Sequence, residues 1–205
     1  MFGKMGKGKT RERRQARTRE AIIQAAEAII QTQGPDALSM REVAELTDYS
    51  ASNLYEYFAS KDDLLAAVAN EALMRLATQV GQSATGLSPR ERLLAYGQSY
   101  LEFARTHADL YLLTFGRKLA HSVLADPEKT PSTYSLLLQL VREGIEAGDF
   151  EPRPDFGLQE MAFGCWSLVH GIAMLHLTMQ DVPWETGTAG DRQTLECFID
   201  GLIQR

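Results

Sequence analysis

Cysteine is scarce in this chain, with only Cys165 and Cys197 among 205 residues. Two cysteines so far apart exclude a dense disulfide framework and fit a reducing cytoplasm. Neither has a basic neighbour in sequence, so both read as small buried hydrophobes rather than as a redox switch. Gly and Pro, 16 and 7, are too few for disorder to dominate. No apolar run follows the first lysines, so no secretory signal is expected. His107, His121, His170 and His176 have no ligand spacing, which argues against a metal. There is no phosphate-binding glycine loop, nucleophile elbow or readable carboxylate motif, so neither catalysis nor a cofactor is expected. Residues 161–179 lack Asp, Glu, Lys and Arg altogether. Length alone would nominate a membrane span, but two His, two Gly, Ser and Thr dilute it, and Glu160 and Asp181 flank it. A helix buried between packed layers reads the same way.

Negative charge is scarce at the start of the chain. Residues 1–19 hold eight Lys or Arg against the single acid Glu12, a net +7. The whole chain is −6, so the remainder carries −13. That segregation suits a nucleic-acid-binding end on a body that nucleic acid repels. Residues 1–16 are expected to be a basic flexible arm.

The densest information lies in residues 38–65. Ser39 and Glu42 form an S-x-x-E capping box, and Met40, Val43, Ala44 and Leu46 supply an apolar face behind it. Thr47-Asp48-Tyr49 makes a turn. Ser50 caps a second short helix, 51–57, in which Leu54 and Phe58 share one face. The opposite face, Ala51, Ser52, Asn53 and Tyr57, is small or polar and left free. Two short helices joined this way form a helix-turn-helix, whose second helix enters the DNA major groove.

At Leu54-Tyr55-Glu56-Tyr57-Phe58, Ala59 and Ser60-Lys61-Asp62-Asp63-Leu64-Leu65, the chain resembles the TetR family of bacterial transcriptional regulators. The family pattern is L-Y-x-[HY]-F followed by S-K-[DE]-x-L-L, and the resemblance covers residues 17–68. This sequence departs from it at Asp48, where Gly is common, and at Tyr49, where a small aliphatic residue is usual. Trp166-Ser167-Leu168-Val169-His170-Gly171 is similar to the W-x-x-x-H-G segment of one TetR subgroup. Leu140-Val141-Arg142-Glu143-Gly144 with Ala147-Gly148-Asp149-Phe150 matches the preceding helix end there. The resemblance implies a C-terminal domain that binds a small molecule and dimerises through its last two helices.

Gly and Pro punctuation, with no strand pattern and no internal repeat, divides the chain into nine or so helices, an all-α fold. Helices are expected over 17–33, the helix-turn-helix, 61–82, 89–106, 108–115, 130–147, 157–180 and 191–204, with a possible turn at 119–124. Ser88-Pro89-Arg90-Glu91 is a strong start signal, and Asp155 is a candidate cap for the long apolar helix. Residues 17–65 form the DNA-binding domain and 66–205 the ligand-binding and dimerisation domain.

Base edges would be read from Ala51, Ser52 and Asn53, with Tyr49 at the turn. Asn53 suits adenine and Ala51 a thymine methyl. The second helix contains no Arg or Lys, so the commonest guanine contact is missing. Lys61, which the family uses on phosphate, heads a backbone set of Arg17, Arg19, Ser39, Ser50, Arg41, Tyr55 and Tyr57. By the resemblance, Tyr96, Tyr100, Phe103, Leu112, Phe115, Tyr134, Leu137, Phe163, Trp166, His170 and Met174 would line a ligand pocket, although any helical core needs such residues. Ala162, Gly164, Gly171 and Ala173 permit close helix approach, and Phe198, Ile199 and Leu202 give the last helix an apolar face, so these seven would form the dimer seam. The function implied is a cytoplasmic homodimeric repressor that binds a palindromic double-stranded operator and is released by a small apolar or aromatic effector. One alternative is a DNA-binding regulator controlled by a protein partner. Another is a helical binding domain or enzyme with an incidental helix-turn-helix.

Overall fold

The computed structural model describes residues 5–83, 86–116, 132–182 and 187–203. The expected turn at 119–124 and the ends of the predicted helices at Thr130, Pro131 and Gln204 lie outside them. Nine helices occur among the described residues: α1 (Met5–Gln33), α2 (Met40–Thr47), α3 (Ala51–Tyr55), α4 (Lys61–Ser83), α5 (Pro89–Thr106), α6 (Ala108–Gly116), α7 (Thr133–Glu146), α8 (Leu158–Thr178) and α9 (Gly187–Asp200). The all-α architecture holds. The chain divides into two compact units, Met1–Glu71 with Asp109–Leu119, and Ala72–Ala108 with Ala120–Arg205. The segment Asp109–Leu119 therefore belongs with the first unit, although sequence order alone assigns it to the second half.

The first unit is built on α1, where Ile22, Ile23, Ala26, Ile29 and Ile30 are buried at helical spacing. Gly34, at φ 84°, ends this helix, and its amide bonds the Ile30 carbonyl at 2.9 Å. The helix begins at Met5, so the segment expected to be a flexible arm is helical from that residue. Lys, Arg, Glu, Gln and Ala favour helix, and no proline interrupts them. In α2, Ser39 accepts from the Glu42 amide at 3.1 Å. Asp48 closes it in the left-handed region at φ 57°, a conformation Asp tolerates. Met40, Val43 and Ala44 are buried, but Leu46, expected on the same face, is 59% exposed. Around the helix Leu46 stands roughly 120° from Met40 and roughly 160° from Ala44, which turns its side chain away from the core. Leu54 and Phe58 anchor the segment after the turn.

In the second unit α5, α7 and α8 pack on one another, and α9 packs on α5 and α8. The Ser88–Glu91 capping box starts α5, and Ser132 with Ser135 caps α7. Glycines permit close approaches: a Cβ at Gly97 would meet Leu195, and one at Gly144 would collide with the Phe150 ring. The start of α8 is Gly157, whose amide donates to Glu160 at 2.9 Å. Asp155, the expected cap, instead sits at φ 63° inside the Arg153–Phe156 bridge. The last helix stops at Asp200, earlier than expected, because Ile203 bridges to Phe150 and the Leu202 carbonyl accepts from Glu151 at 2.8 Å. By length and composition α8 could cross a membrane, yet it buries Met161, Ala162, Cys165, Val169 and Ala173 against its own chain.

Candidate nucleic-acid interface

The turn between α2 and α3 is held at one end by Asp48, whose amide donates to the Ala44 carbonyl, and at the other by the Ser50 side-chain cap. Ser50 accepts from the Asn53 amide at 3.2 Å, so its hydroxyl oxygen is engaged in starting α3. Beyond that cap, Ala51, Ser52, Asn53 and Tyr55 are all exposed, while Leu54 between them is fully buried. One buried anchor therefore orients an entire outward surface of small, polar and aromatic groups. Tyr57 is half-buried.

The flanking groups are held by contacts that a phosphate could replace. Lys61 donates through Nζ to the Asp36 carbonyl at 3.1 Å. Arg41 pairs with Glu45 at 3.0 Å on an exposed helix face, a contact that contributes little by itself. Ser39 is exposed, though its oxygen serves as the α2 cap. The Tyr49 hydroxyl lies 3.2 Å from Thr18 Oγ1, and the Arg19 guanidinium sits 5.1 Å from the centre of the Phe58 ring. Arg17 is exposed one residue before Thr18. The structure thus brings all twelve residues singled out for DNA into the first unit, each exposed or half-buried. Leu46 is also exposed in that unit, an outcome that its hydrophobicity alone does not signal.

The residues singled out for a ligand pocket are distributed differently. Leu112 and Phe115 fall in the first unit and the other nine in the second. Tyr96, Tyr100, Phe103 and Leu137 are buried. Trp166 stacks on His170 at 5.4 Å and meets Tyr134 edge-on at 5.7 Å. The Tyr100 hydroxyl lies 3.4 Å from His170 Nδ1. Burial pushes the His170 pKa below its ordinary value, which keeps the ring neutral at pH 7. Burial likewise pushes the Cys165 thiol up to about 12, so it remains protonated. Phe163 is 58% exposed and so lies on the outside of the unit, because its position on α8 faces away from α5 and α7. A cleft of about 500 Å³ lies elsewhere in this unit, lined by Gln79, Gln98, Glu102, Arg105, Asp191 and Arg192 among others, and by none of the aromatic set. Tyr96 borders an apolar cavity of only about 10 Å³.

The residues expected at the dimer seam are placed as follows. Ala162, Ala173, Ile199 and Leu202 are buried within their own chain, and a Cβ at Gly164 would lie 2.8 Å from the half-buried Phe198. Gly164 thus admits the Phe198 ring of α9 onto α8. Gly171 alone is open, with nothing within 4 Å of where a Cβ would stand. Phe163 and Leu175 on α8, and Met179 and Val182 just beyond its end, are also exposed.

Comparison with known proteins settles what this arrangement belongs to. Residues 22–68 match the family model described as bacterial regulatory proteins, tetR family, and residues 93–192 match a tetracyclin repressor-like C-terminal domain. The chain belongs to the TetR family. Among relatives of this TetR-family regulator, an uncharacterised HTH-type transcriptional regulator of Mycobacterium tuberculosis is 25% identical over 91% of this chain and 79% of its own. One from Xanthobacter autotrophicus is 28% identical over 51% of this chain, which spans 57% of that relative's length. The M. tuberculosis repressor KstR is 35% identical over 38% of this chain and 36% of its own. A Rhodococcus sp. RHA1 protein of unknown function has the same fold, with TM-score 0.74, 23% identity, and 91% and 96% of the two chains covered. RolR, solved with resorcinol, has TM-score 0.70, 17% identity, and 93% and 90% covered. As a TetR-family member the protein is a DNA-binding regulator.

Proposed function

We propose that this regulator is a cytoplasmic homodimeric repressor that binds a roughly palindromic operator. The observation that carries the reading is the outward surface of α3, held rigid by Leu54 and flanked by Lys61. Each protomer lays α3 in a major groove. Ala51, Ser52 and Asn53, with Tyr49, face base edges, while Lys61, Arg41, Ser39, Ser50, Tyr55, Tyr57, Arg17 and Arg19 serve the backbone. Lys61 exchanges the Asp36 carbonyl for a phosphate oxygen, and Arg41 exchanges Glu45 for another. The DNA-binding domain is residues 17–65, and residues 66–205 bind ligand and dimerise. The second protomer covers the exposed apolar side chains Phe163 and Leu175 of α8, beside the open Gly171, since interfaces between protomers bury such groups. A two-fold dimer of this kind demands two half-sites about 34 Å apart or a multiple of it.

A small apolar or aromatic effector releases the operator by binding better to a dimer whose recognition helices no longer match that spacing. The Tyr100–His170 pair, one hydroxyl beside one neutral imidazole, supplies polar handles within an aromatic surround, and RolR carries a small aromatic diol in the same fold. A second reading, a regulator governed by a protein partner without an effector, is favoured by the close packing of Tyr96, Tyr100, Phe103 and Leu137. Selection of bound duplexes from a randomised pool at near-physiological salt tests the operator reading, with an inverted repeat as the expected result. Screening aromatic and apolar compounds for release from that repeat then separates the two readings.

A further inference from the structure

The basic N-terminal segment has an unexpected form. It is the first part of α1, continuous with the core-forming part, and its described side chains begin at Thr10. Arg11, Arg13, Arg14 and Arg17 are all exposed. At 3.6 residues per turn they fall within an arc of roughly 160°, whereas Glu12, Gln15 and Ala16 fill the remaining side. None of the four forms an ion pair among the described residues, in contrast to Arg41, Arg90, Arg92, Arg105 and Arg192, which each hold a carboxylate. Four unpaired cations on one face repel one another, and a chain that keeps them so positioned has a use for an anionic surface.

The place where this face begins identifies the surface. Thr18, buried, meets Tyr49 immediately before the cap of α3, and Arg19 stacks on Phe58 just beyond its end. The helix is therefore clamped beside both ends of the base-reading element, and the cationic part runs outward from there. Thirteen residues, 5–17, extend about 20 Å, or roughly six base pairs of duplex.

We propose that residues 5–17 dock as a preformed helix on the sugar–phosphate backbone flanking each half-site, lengthening the footprint and supplying much of the sequence-independent affinity. The inference rests on the operator reading above. A segment already helical loses little conformational freedom on docking, unlike a tail that must order on contact. Residues 20–205 carry −13 in net, so the cations of this end add attraction that Lys61 and Arg41 alone would otherwise have to supply against that charge.

The test uses the full chain on its selected repeat, presented in a duplex with about ten flanking base pairs on each side and in one trimmed to the half-sites. Two variants probe charge and helicity separately. The first is Arg11→Gln/Arg13→Gln/Arg14→Gln, which keeps good helix formers. The second is Glu12→Pro, which keeps every cation but breaks the helix. Both alter exposed residues away from the core. Wild type should prefer the flanked duplex about tenfold. The triple variant should lose that preference, lower the slope of log K against log salt by about 2 to 3 per segment, and select the same sequence. Glu12→Pro should lose the preference too, despite its more positive charge. A triple variant with unchanged slope and footprint overturns the inference, and a Glu12→Pro protein that keeps the flank preference overturns its helical form. Failure of wild type itself to select a repeat removes the operator reading, and the inference with it.

Discussion

Asn53, Lys61 and Gly144 show how differently single residues contribute here. Asn53 is exposed on α3 with its amide committed to the Ser50 cap, which leaves its side chain free to meet a base edge. Asn53→Ala should therefore change which sequences are selected, at about 1–3 kcal/mol for the base it reads. An unchanged preference in the randomised selection would remove Asn53 from the readers. With no Arg or Lys on α3, the bases it touches should be mainly A·T pairs. Lys61→Ala should weaken every sequence alike and lower the salt slope by about 1 per protomer, measured by titration at several salt concentrations. Gly144 concerns stability alone. Its Cβ would occupy the Phe150 ring, so Gly144→Ala should cost about 1–3 kcal/mol in denaturant unfolding, with little change in DNA sequence preference. The capped turn was legible from sequence because Ser39 and Ser50 act on amides three residues from their own position. Leu46 was not, since its exposure depends on how α2 is rotated against α1.

At the scale of elements, caps and faces have separate consequences. Ser132 is buried and begins α7 through reciprocal bonds with Ser135 at 2.8 and 3.1 Å. Ser132→Ala should cost about 1 kcal/mol of unfolding free energy, seen as a lower denaturant midpoint with unchanged slope. The exposed apolar residues of α8 concern assembly. Leu175→Glu places a charge on an exposed apolar face without disturbing the core, so sedimentation should show a monomer, and binding to the full repeat should fall to that of a half-site. A dimer that survives this change would assign the seam elsewhere. Helix starts were readable because capping chemistry is local. The faces of α8 were not: small residues along it suggested a seam between chains, yet Ala162, Gly164 and Ala173 pack inside one chain, and Phe163 and Leu175 are the residues left outside.

For the whole molecule, pH acts through a few groups whose environment is set by the fold. His170 has its pKa lowered by desolvation, so the unfolded chain takes up a proton first and the folded state is penalised on acidification. That loss begins as pH falls through about 6.5, the ordinary value. Glu143, beside Gln139 and Arg92, and Glu102, beside Arg105, have lowered pKa values. Their contribution is present above 4.5 and is lost as pH drops below it. Thermal unfolding should show an early decline through the His170 range and a further one in acid. His170→Gln should remove the first and spare the second.

Local chemistry determined the helices, their caps, the helix-turn-helix and the basic end, because each depends on residues within a turn or two of one another. Hydrogen bonds from a capping serine and the spacing of Leu54 and Phe58 need no distant partner. Tertiary structure decided which apolar residues remained outside, that the basic segment continues α1 as a helix, and that α9 ends early against the Phe150 turn. Those outcomes depend on which face of each helix finds a neighbour far away in sequence, and hydrophobicity, identical for a buried and an exposed leucine, does not carry that information.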